Sequence, residues 1–282
     1  MPAPPFTVLG VDFTSAPRRA KPITIAVGRL QREAFVLEAI ELGHDFGAFE
    51  EMLARPGPWI AGIDAPFGLP REAVRDLGWP GEWPALVRHC AALGKSGFRA
   101  ALDRYRESRP VGQRYAHRAT DRPARSHSPL KLVNPPVGLM FLETAPRLLA
   151  AGVSIAGILA GDAGRIVIEA YPGFSARAMT SESYKSDERA KQTPVRQQIR
   201  ASMVDALVAH GGPCGLRVTA SRPLLATLIH DPSGDRLDAL FAALQAAWSL
   251  VRRDDNFGLP SDVDPIEGWI ATVPMATAGK NA

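Results

Sequence analysis

The sequence predicts a mixed α/β fold, with one sheet and helices packed on it. Three strand-like apolar runs joined by short connections open the chain, and an amphipathic helix then leads to another strand. Antiparallel strands followed by a helical crossover give a sheet with both strand directions, in which side chains at strand ends can gather on one side. The 282 residues, 46% of them hydrophobic, suffice for a sizeable core. We therefore expect a single domain over residues 1–282, with an insertion at about residues 71–160.

The first elements are predicted from apolar runs of strand length and from helical spacing. Residues 7–13, 23–30 and 34–42 have strand-like patterns and form a predicted meander. Apolar residues at helical spacing predict a short amphipathic helix over residues 46–54. Residues 59–63 have the pattern of a buried strand, which the following Ala-Pro-Phe-Gly segment ends.

Helical patterns dominate the middle of the chain. Between residues 71 and 159 the strand pattern disappears, and helices are predicted around residues 84–105 and 138–151. This stretch is the predicted insertion. A strand over residues 165–168 follows it, and the last long helix is predicted from Asp235 onwards.

Five acidic residues stand where predicted apolar elements begin or end. Asp12 ends the first strand, Asp64 ends the strand after the first helix, and Glu169 ends a later strand. Asp235 and Asp238 open the last long helix, and their three-residue spacing puts both on one helical face. Acids this far apart in the sequence can meet only in the folded chain.

Converging acids point to a metal site. Carboxylates that come together repel one another and raise each other's pKa unless a cation lies between them. Mg²⁺ prefers oxygen ligands, and a pair of such ions about 4 Å apart can activate a water and stabilise the leaving oxygen of a phosphodiester. The acids therefore predict a site for Mg²⁺ or Mn²⁺ and metal-dependent phosphoryl chemistry.

Each acid also has a purely structural interpretation. Asp12 and Asp64 could accept hydrogen bonds in Asx turns, and Asp235 could cap the last helix. Glu169 at an edge strand could simply be solvated. Asp238 borders the apolar stripe one turn into the helix, and the structural interpretation explains it least well.

A basic stretch joins the two helical patterns of the insertion. Residues 104–131 contain ten Arg, Lys and His side chains and only two acidic ones. Arginine is suited to bidentate contacts with phosphate, and interleaved tyrosines can stack on bases. We expect substrate contacts from the following residues of this stretch and beyond it: Arg114, Arg118, Arg122, Arg125 and Lys185. The alternative is a solvated loop and a surface lysine.

Composition disfavours several classes of protein. Cys90 and Cys214 stand in unrelated contexts without a CxxC or a nearby histidine pattern, so neither a disulfide framework nor a zinc site is indicated. The amino terminus lacks the basic start and apolar core of a signal peptide, and the apolar residues 148–161 are too few to span a membrane. A net charge of +4 permits anionic partners without demanding them. We expect a cytoplasmic protein without a membrane partner.

Six short motifs, taken in their order along the chain, resemble a known family. They are Gly10–Pro17 (GVDFTSAP), Gly62–Gly68 (GIDAPFG), Ile168–Gly173 (IEAYPG), Tyr184–Lys185, Asp235–Leu240 (DRLDAL) and Glu267–Ile270 (EGWI). Together they resemble the family called domain of unknown function 429, regarded as predicted RNase H-like nucleases. The resemblance covers most of the chain except the basic insertion and the carboxyl tail. The two-acid helix start is also similar to that of Holliday-junction resolvases.

The resemblance implies an RNase H-like fold with metal ligands on the first strand, the fourth strand and the last helix. By position these ligands are Asp12, Asp64, Asp235 and Asp238, while Glu169 has no counterpart in the resolvase pattern. The function that we expect is a Mg²⁺- or Mn²⁺-dependent nuclease whose basic insertion holds the backbone of DNA or RNA.

Two other functions remain open from the sequence. An ATP-dependent phosphotransferase of the actin or sugar-kinase type shares the core topology, but no glycine-rich phosphate loop follows Asp12. A non-catalytic nucleic-acid-binding protein is the third possibility, and it would leave the acids at several strand ends unexplained.

Overall fold

A mixed seven-stranded sheet forms the centre of the computed structural model, which describes residues 5–275. In chain order the strands are β1 Thr7–Asp12, β2 Ile23–Gln31, β3 Ala34–Gly43, β4 Trp59–Ile63, β5 Val153–Ile155, β6 Asp162–Glu169 and β7 Arg217–Thr219. Their order across the sheet is β5-β6-β4-β1-β2-β3-β7. The pairs β1–β2 and β2–β3 are antiparallel, and the other neighbours are parallel.

Helices flank this sheet, as the sequence predicts. Their bounds are α1 Phe46–Leu53, α2 Arg71–Asp76, α3 Trp83–Glu107, α4 Asp121–Ala124, α5 Val137–Ala151, α6 Pro172–Met179, α7 Pro194–Ala209, α8 Arg222–His230 and α9 Asp235–Val251. The α3 helix is interrupted at Gly94, which has a φ of 63°. The predicted fold class is confirmed: the structure is a mixed α/β sheet flanked by helices, consistent with an RNase H-like fold.

The two faces of the sheet carry separate apolar cores. On one face, alternate strand residues such as Val11 and Ile63 pack with side chains of α1, α3 and α5. On the other face, residues such as Val8 and Ile60 pack with side chains of α7 and α9. Helices α2 to α5 of the predicted insertion therefore lie in the chain between β4 and β5, and α3 and α5 help to cover one face of the sheet.

Two glycines allow α9 to lie directly on the middle of the sheet. Gly10 of β1 and Gly62 of β4 are register partners. A Cβ at Gly10 would meet the backbone oxygen of Ala239 at 2.1 Å, and one at Gly62 would meet the oxygen of Ala242 at 2.3 Å. Because no side chain stands between them, the helix backbone touches the strands.

Two short strands are absent from the sequence prediction. β5 lies within the stretch where the strand pattern disappears, and β7 follows a glycine-rich turn. Each has three residues, which is too short to show strand periodicity. β7 pairs in parallel with β3, which is distant in sequence, whereas β5 pairs in parallel with the next strand, β6. Pairing with a neighbouring strand, rather than a local sequence pattern, defines both.

Within residues 5–275, no helix is long and apolar enough to cross a membrane. Cys90 and Cys214 are both free thiols. The cytoplasmic location stays a prediction.

Candidate active site

Register brings Asp12 and Asp64 together at the carboxyl ends of two parallel strands. Val11 of β1 pairs with Ile63 of β4, and the backbone N–H of Asp64 donates to the oxygen of Val11 at 2.8 Å. The two aspartates are therefore neighbours, and strand alternation puts them on the same face as Gly10 and Gly62. That face is the one covered by α9.

The start of α9 adds two further carboxylates to this edge. Asp235 and Asp238 occupy its first turn, and their residues are only 5% and 0% exposed. Burial, followed by the charge of Asp238, raises the pKa of both Asp12 and Asp64. The structure thus brings together the four acids predicted as metal ligands, which we call the acid cluster.

Asp12 and Asp64 differ from the helix acids because they lack hydrogen-bond partners. Among residues 5–275, no donor contacts the side-chain oxygens of Asp12 or Asp64. The pKa of Asp64 is raised to about 7, and that of Asp12 also lies well above its usual value. These two carboxylates are held in a protein environment that opposes their charge.

The two helix acids each have a cation. The ammonium group of Lys185 and the hydroxyl of Tyr184 donate to Asp238, one to each oxygen. Lys21 donates to Asp235 at 2.8 Å and to Asp187 at the same distance. The Lys185 side chain is 43% exposed, so its stem runs along the surface while its ammonium turns inward.

Glu169 lies on the other face of the sheet, so it is not a member of the acid cluster. It is the register partner of Ile63 and not of Asp64, and strand alternation directs it towards the insertion. Its carboxylate accepts two hydrogen bonds from Arg118, at 2.7 and 2.8 Å, and one from the backbone of Phe67. Burial raises the pKa of Glu169, against the opposing effect of Arg118. These contacts indicate a structural role for Glu169, and the catalytic role predicted for it from the sequence stays a prediction.

Arg118 is equally committed to the interior. The residue is 3% exposed, and its side chain makes five N–H contacts: two to Asp121, two to Glu169 and one to the backbone oxygen of Glu267. A guanidinium has five donors, so none is left for a phosphate. The substrate contact predicted for Arg118 does not agree with this position. We call Arg118, Asp121 and Glu169 the buried ion group.

The other predicted substrate arginines are on the surface. Arg114, Arg122 and Arg125 are exposed, and the first two line a solvent-open cleft together with Tyr115 and His117. Arg122 belongs to α4, whose first residue is Asp121 of the buried ion group. These arginines are therefore accessible from solvent, and their contacts with a substrate stay a prediction.

The oxygen donors of the acid cluster fit a hard divalent cation in their chemistry, but their present arrangement is not that of a metal site. Within residues 5–275, no group of three or more His, Cys, Asp or Glu side chains is arranged to hold a metal ion. Lys185 and Lys21 hold oxygens of Asp238 and Asp235 instead. Asp12 and Asp64 supply two carboxylates without a hydrogen-bond partner. Release of Asp238 by Lys185 would add a third, which is the oxygen-rich donor set that Mg²⁺ prefers.

Sequence reasoning missed two residues that contact the helix acids, Tyr184 and Lys21, and the second partner of Lys21, Asp187. Tyr184 belongs to a recognised motif, but its hydrogen bond to Asp238 could not be foreseen. Lys21 and Asp187 lie in connections that carry no motif. Lys21 contacts Asp235, 214 residues away, and Asp187, 166 residues away, only because the fold brings these segments together. No local signal distinguishes them from surface charges.

Comparison with protein families gives one match. Residues 10–263 match the family model described as a protein of unknown function (DUF429). The chain belongs to this family. Searches of the curated proteins and of the solved structures found no match. The DUF429 match includes every acid of the cluster and the whole insertion, whereas the Glu267–Ile270 motif lies just outside it.

Proposed function

We propose that this protein is a divalent-metal-dependent nuclease that hydrolyses phosphodiester bonds in DNA or RNA. The observation that carries the proposal is the pair Asp12 and Asp64. They are adjacent, they have raised pKa values and no hydrogen-bond donor among the described residues, and they lie beside two further carboxylates. A protein keeps such a pair at a cost in stability, and a cation would remove that cost.

The acid cluster would bind the metal, and basic residues would contact the phosphates. Asp12, Asp64 and Asp238 would hold Mg²⁺ or Mn²⁺, with Asp235 beside them. When bound, the metal supplies an activated water and neutralises charge on the leaving oxygen. Lys185 turns from Asp238 to a phosphate oxygen, which its exposed stem permits. The surface arginines Arg114, Arg122 and Arg125 hold the phosphate backbone where it passes over the insertion.

The test is cleavage of labelled single-stranded DNA, duplex DNA, RNA, RNA–DNA hybrid and branched junctions with Mg²⁺ or Mn²⁺. The wild type is compared with Asp12→Asn, and Asp254→Asn serves as the matched control because its side chain is 95% exposed at the far end of α9. We expect Asp12→Asn to lose at least about 100-fold in rate, because outer-shell changes alone cost 10–100-fold in metal sites. Asp254→Asn should cut like the wild type, and a chelator should stop cleavage.

Other outcomes would replace the proposal. Turnover of ATP without cleavage of any nucleic acid would favour the phosphotransferase of the actin or sugar-kinase type. Salt-sensitive binding to nucleic acid that needs no metal and survives Asp12→Asn would favour a non-catalytic binding protein.

A further inference from the structure

A small cavity opens beside the acid cluster. Its volume is about 220 Å³, and Asp64 and Lys185 form its border towards the cluster. Pockets that bury whole drug-sized ligands are usually ~300–1,000 Å³. The cavity therefore suits one ring system, and it is too small for an entire nucleotide.

The walls of the cavity are mainly apolar. Pro135, Val137 and Met140, from the start of α5 and the loop before it, form one side, and Pro66 and Tyr171 contribute elsewhere. Apolar and aromatic walls stabilise a flat neutral ring and disfavour a second phosphate group.

The charged residues of the buried ion group that line the cavity do not attract an anion either. Arg118 and Glu169 of the buried ion group line it. Every N–H donor of Arg118 is already used, and Glu169 carries the opposite charge. A phosphate would find no free donor from this arginine, so this part of the cavity favours a neutral group.

One polar side chain at the edge can read the identity of that group. His127 is exposed and lines the cavity, with its Nε2 at 3.5 Å from the ammonium of Lys131. Partial burial, with Lys131 and His117 nearby, lowers the pKa of His127, so the ring is neutral at pH 7. A neutral imidazole offers one donor and one acceptor nitrogen, which suits the edge of a nucleobase.

We propose that this cavity holds one unstacked base of the nucleic-acid strand whose phosphate lies at the acid cluster. The inference rests on the proposed nuclease function and names its substrate class. In an intact duplex every base is stacked and paired, and extruding one costs a few kcal/mol. The substrate is therefore a single strand, and cleavage occurs beside the base that enters the cavity.

Two variants test the cavity directly. Val137→Trp fills it from the start of α5, and Val208→Trp on α7 is the matched control because Val208 is 39% exposed and does not line the cavity. Val137 is half-buried, so His127→Ala is the second variant, since removal of an exposed ring leaves the fold intact. Ligand-observed NMR with the four ribonucleosides, without metal, measures base binding independently of cleavage. We expect millimolar binding that Val137→Trp abolishes, that Val208→Trp preserves and that loses its preference among bases in His127→Ala.

Cleavage supplies the second readout. A set of single-stranded oligonucleotides carries one abasic residue at successive positions. We expect the rate of cleavage at one fixed offset from the abasic residue to fall about tenfold or more. This is the size of effect expected for the loss of one stacked base. Val137→Trp should lower cleavage of the normal strand and remove this position dependence.

The outcomes separate the two proposals. Metal-dependent cleavage with a flat abasic profile and no nucleoside binding would overturn the cavity proposal and keep the nuclease. Nucleoside binding that Val137→Trp abolishes, without cleavage of any nucleic acid, would overturn the nuclease and keep a base-binding cavity. Equal cleavage of duplex and single strand would also contradict the inference.

Discussion

The acid cluster and the buried ion group lie on opposite faces of the same strand ends, and they treat charge differently. In the buried ion group, both oxygens of Glu169 accept hydrogen bonds, and Asp121 accepts them from Arg118 and Ser126. In the acid cluster, Lys185 and Lys21 serve the helix acids, while Asp12 and Asp64 receive no donor from the described residues. In the buried ion group, the protein itself supplies donors to both carboxylates. The second group is left with excess negative charge, as a site awaiting a cation would be.

The largest expected effect comes from removing the cation of the buried ion group. Arg118→Met leaves Asp121 and Glu169 buried without their cation, so we expect a loss of about 3–5 kcal/mol in the free energy of unfolding, measured by urea denaturation. The exposed neighbour Arg122→Met should change it by less than about 0.5 kcal/mol. A similar small change for both variants would mean that the buried ion group does not hold the insertion on the sheet.

The second effect concerns the partly balanced acid Asp238. Lys185→Met leaves this fully buried carboxylate with Tyr184 as its donor. We therefore expect a loss of about 1–3 kcal/mol in the free energy of unfolding, measured by thermal denaturation. Lys191→Met removes an exposed pair with Glu188 and should cost less than about 1 kcal/mol. Added Mg²⁺ should then stabilise Lys185→Met more than the wild type. Equal stabilisation of the two would argue against Asp238 as a ligand.

The third effect has the opposite sign, because Asp64 is expected to destabilise the metal-free protein at high pH. Its pKa is about 7 in the fold and ~3.9 in an unfolded chain, so its contribution to stability is complete below the lower value and is lost as the pH rises through 7. At pH 8 in the presence of a chelator, we expect the melting temperature of Asp64→Asn to be about 2–4 °C higher than that of the wild type. The gain should shrink towards pH 5. Asp254→Asn should show no gain, and a lower melting temperature for Asp64→Asn at pH 8 would refute the idea of an unbalanced carboxylate.

The smallest effect concerns the exposed arginines of the insertion. In an Asp12→Asn background that prevents cleavage, Arg114→Ser and Arg122→Ser should each reduce the salt dependence of single-strand binding by about one unit of log–log slope. Arg253→Ser, at the far end of α9 and 54% exposed, should leave the slope unchanged. A slope that no arginine alters would place the phosphate contacts outside the insertion.

Local patterns were enough to predict most of the sheet and the position of the acid cluster. The apolar runs before Asp12 and Asp64 have strand length, and parallel strands that end together bring their last residues to one edge. The helix start at Asp235 was likewise visible from spacing. These features depend on neighbours in sequence or on a simple rule of sheet topology.

The roles of Glu169 and Arg118 could not be predicted in the same way. Glu169 belongs to the other face because it pairs with Ile63, and a shift of one residue in register would reverse this. Arg118 differs from Arg122 in being buried, with Asp121 and Glu169, 51 residues away, as partners. Both assignments depend on long-range register and packing, which no local pattern contains.

The glycine pair in the centre of the sheet gives the site its dimensions. Because Gly10 and Gly62 let the backbone of α9 rest on β1 and β4, the height of the helix above the strands is fixed by the absence of two methyl groups. A methyl at either position would lift the helix and carry Asp238 away from Asp12 and Asp64, although all three carboxylates would still be present. The spacing of the acid cluster is thus set from inside the core, and an alanine at either glycine would push the start of α9 away from the strand ends.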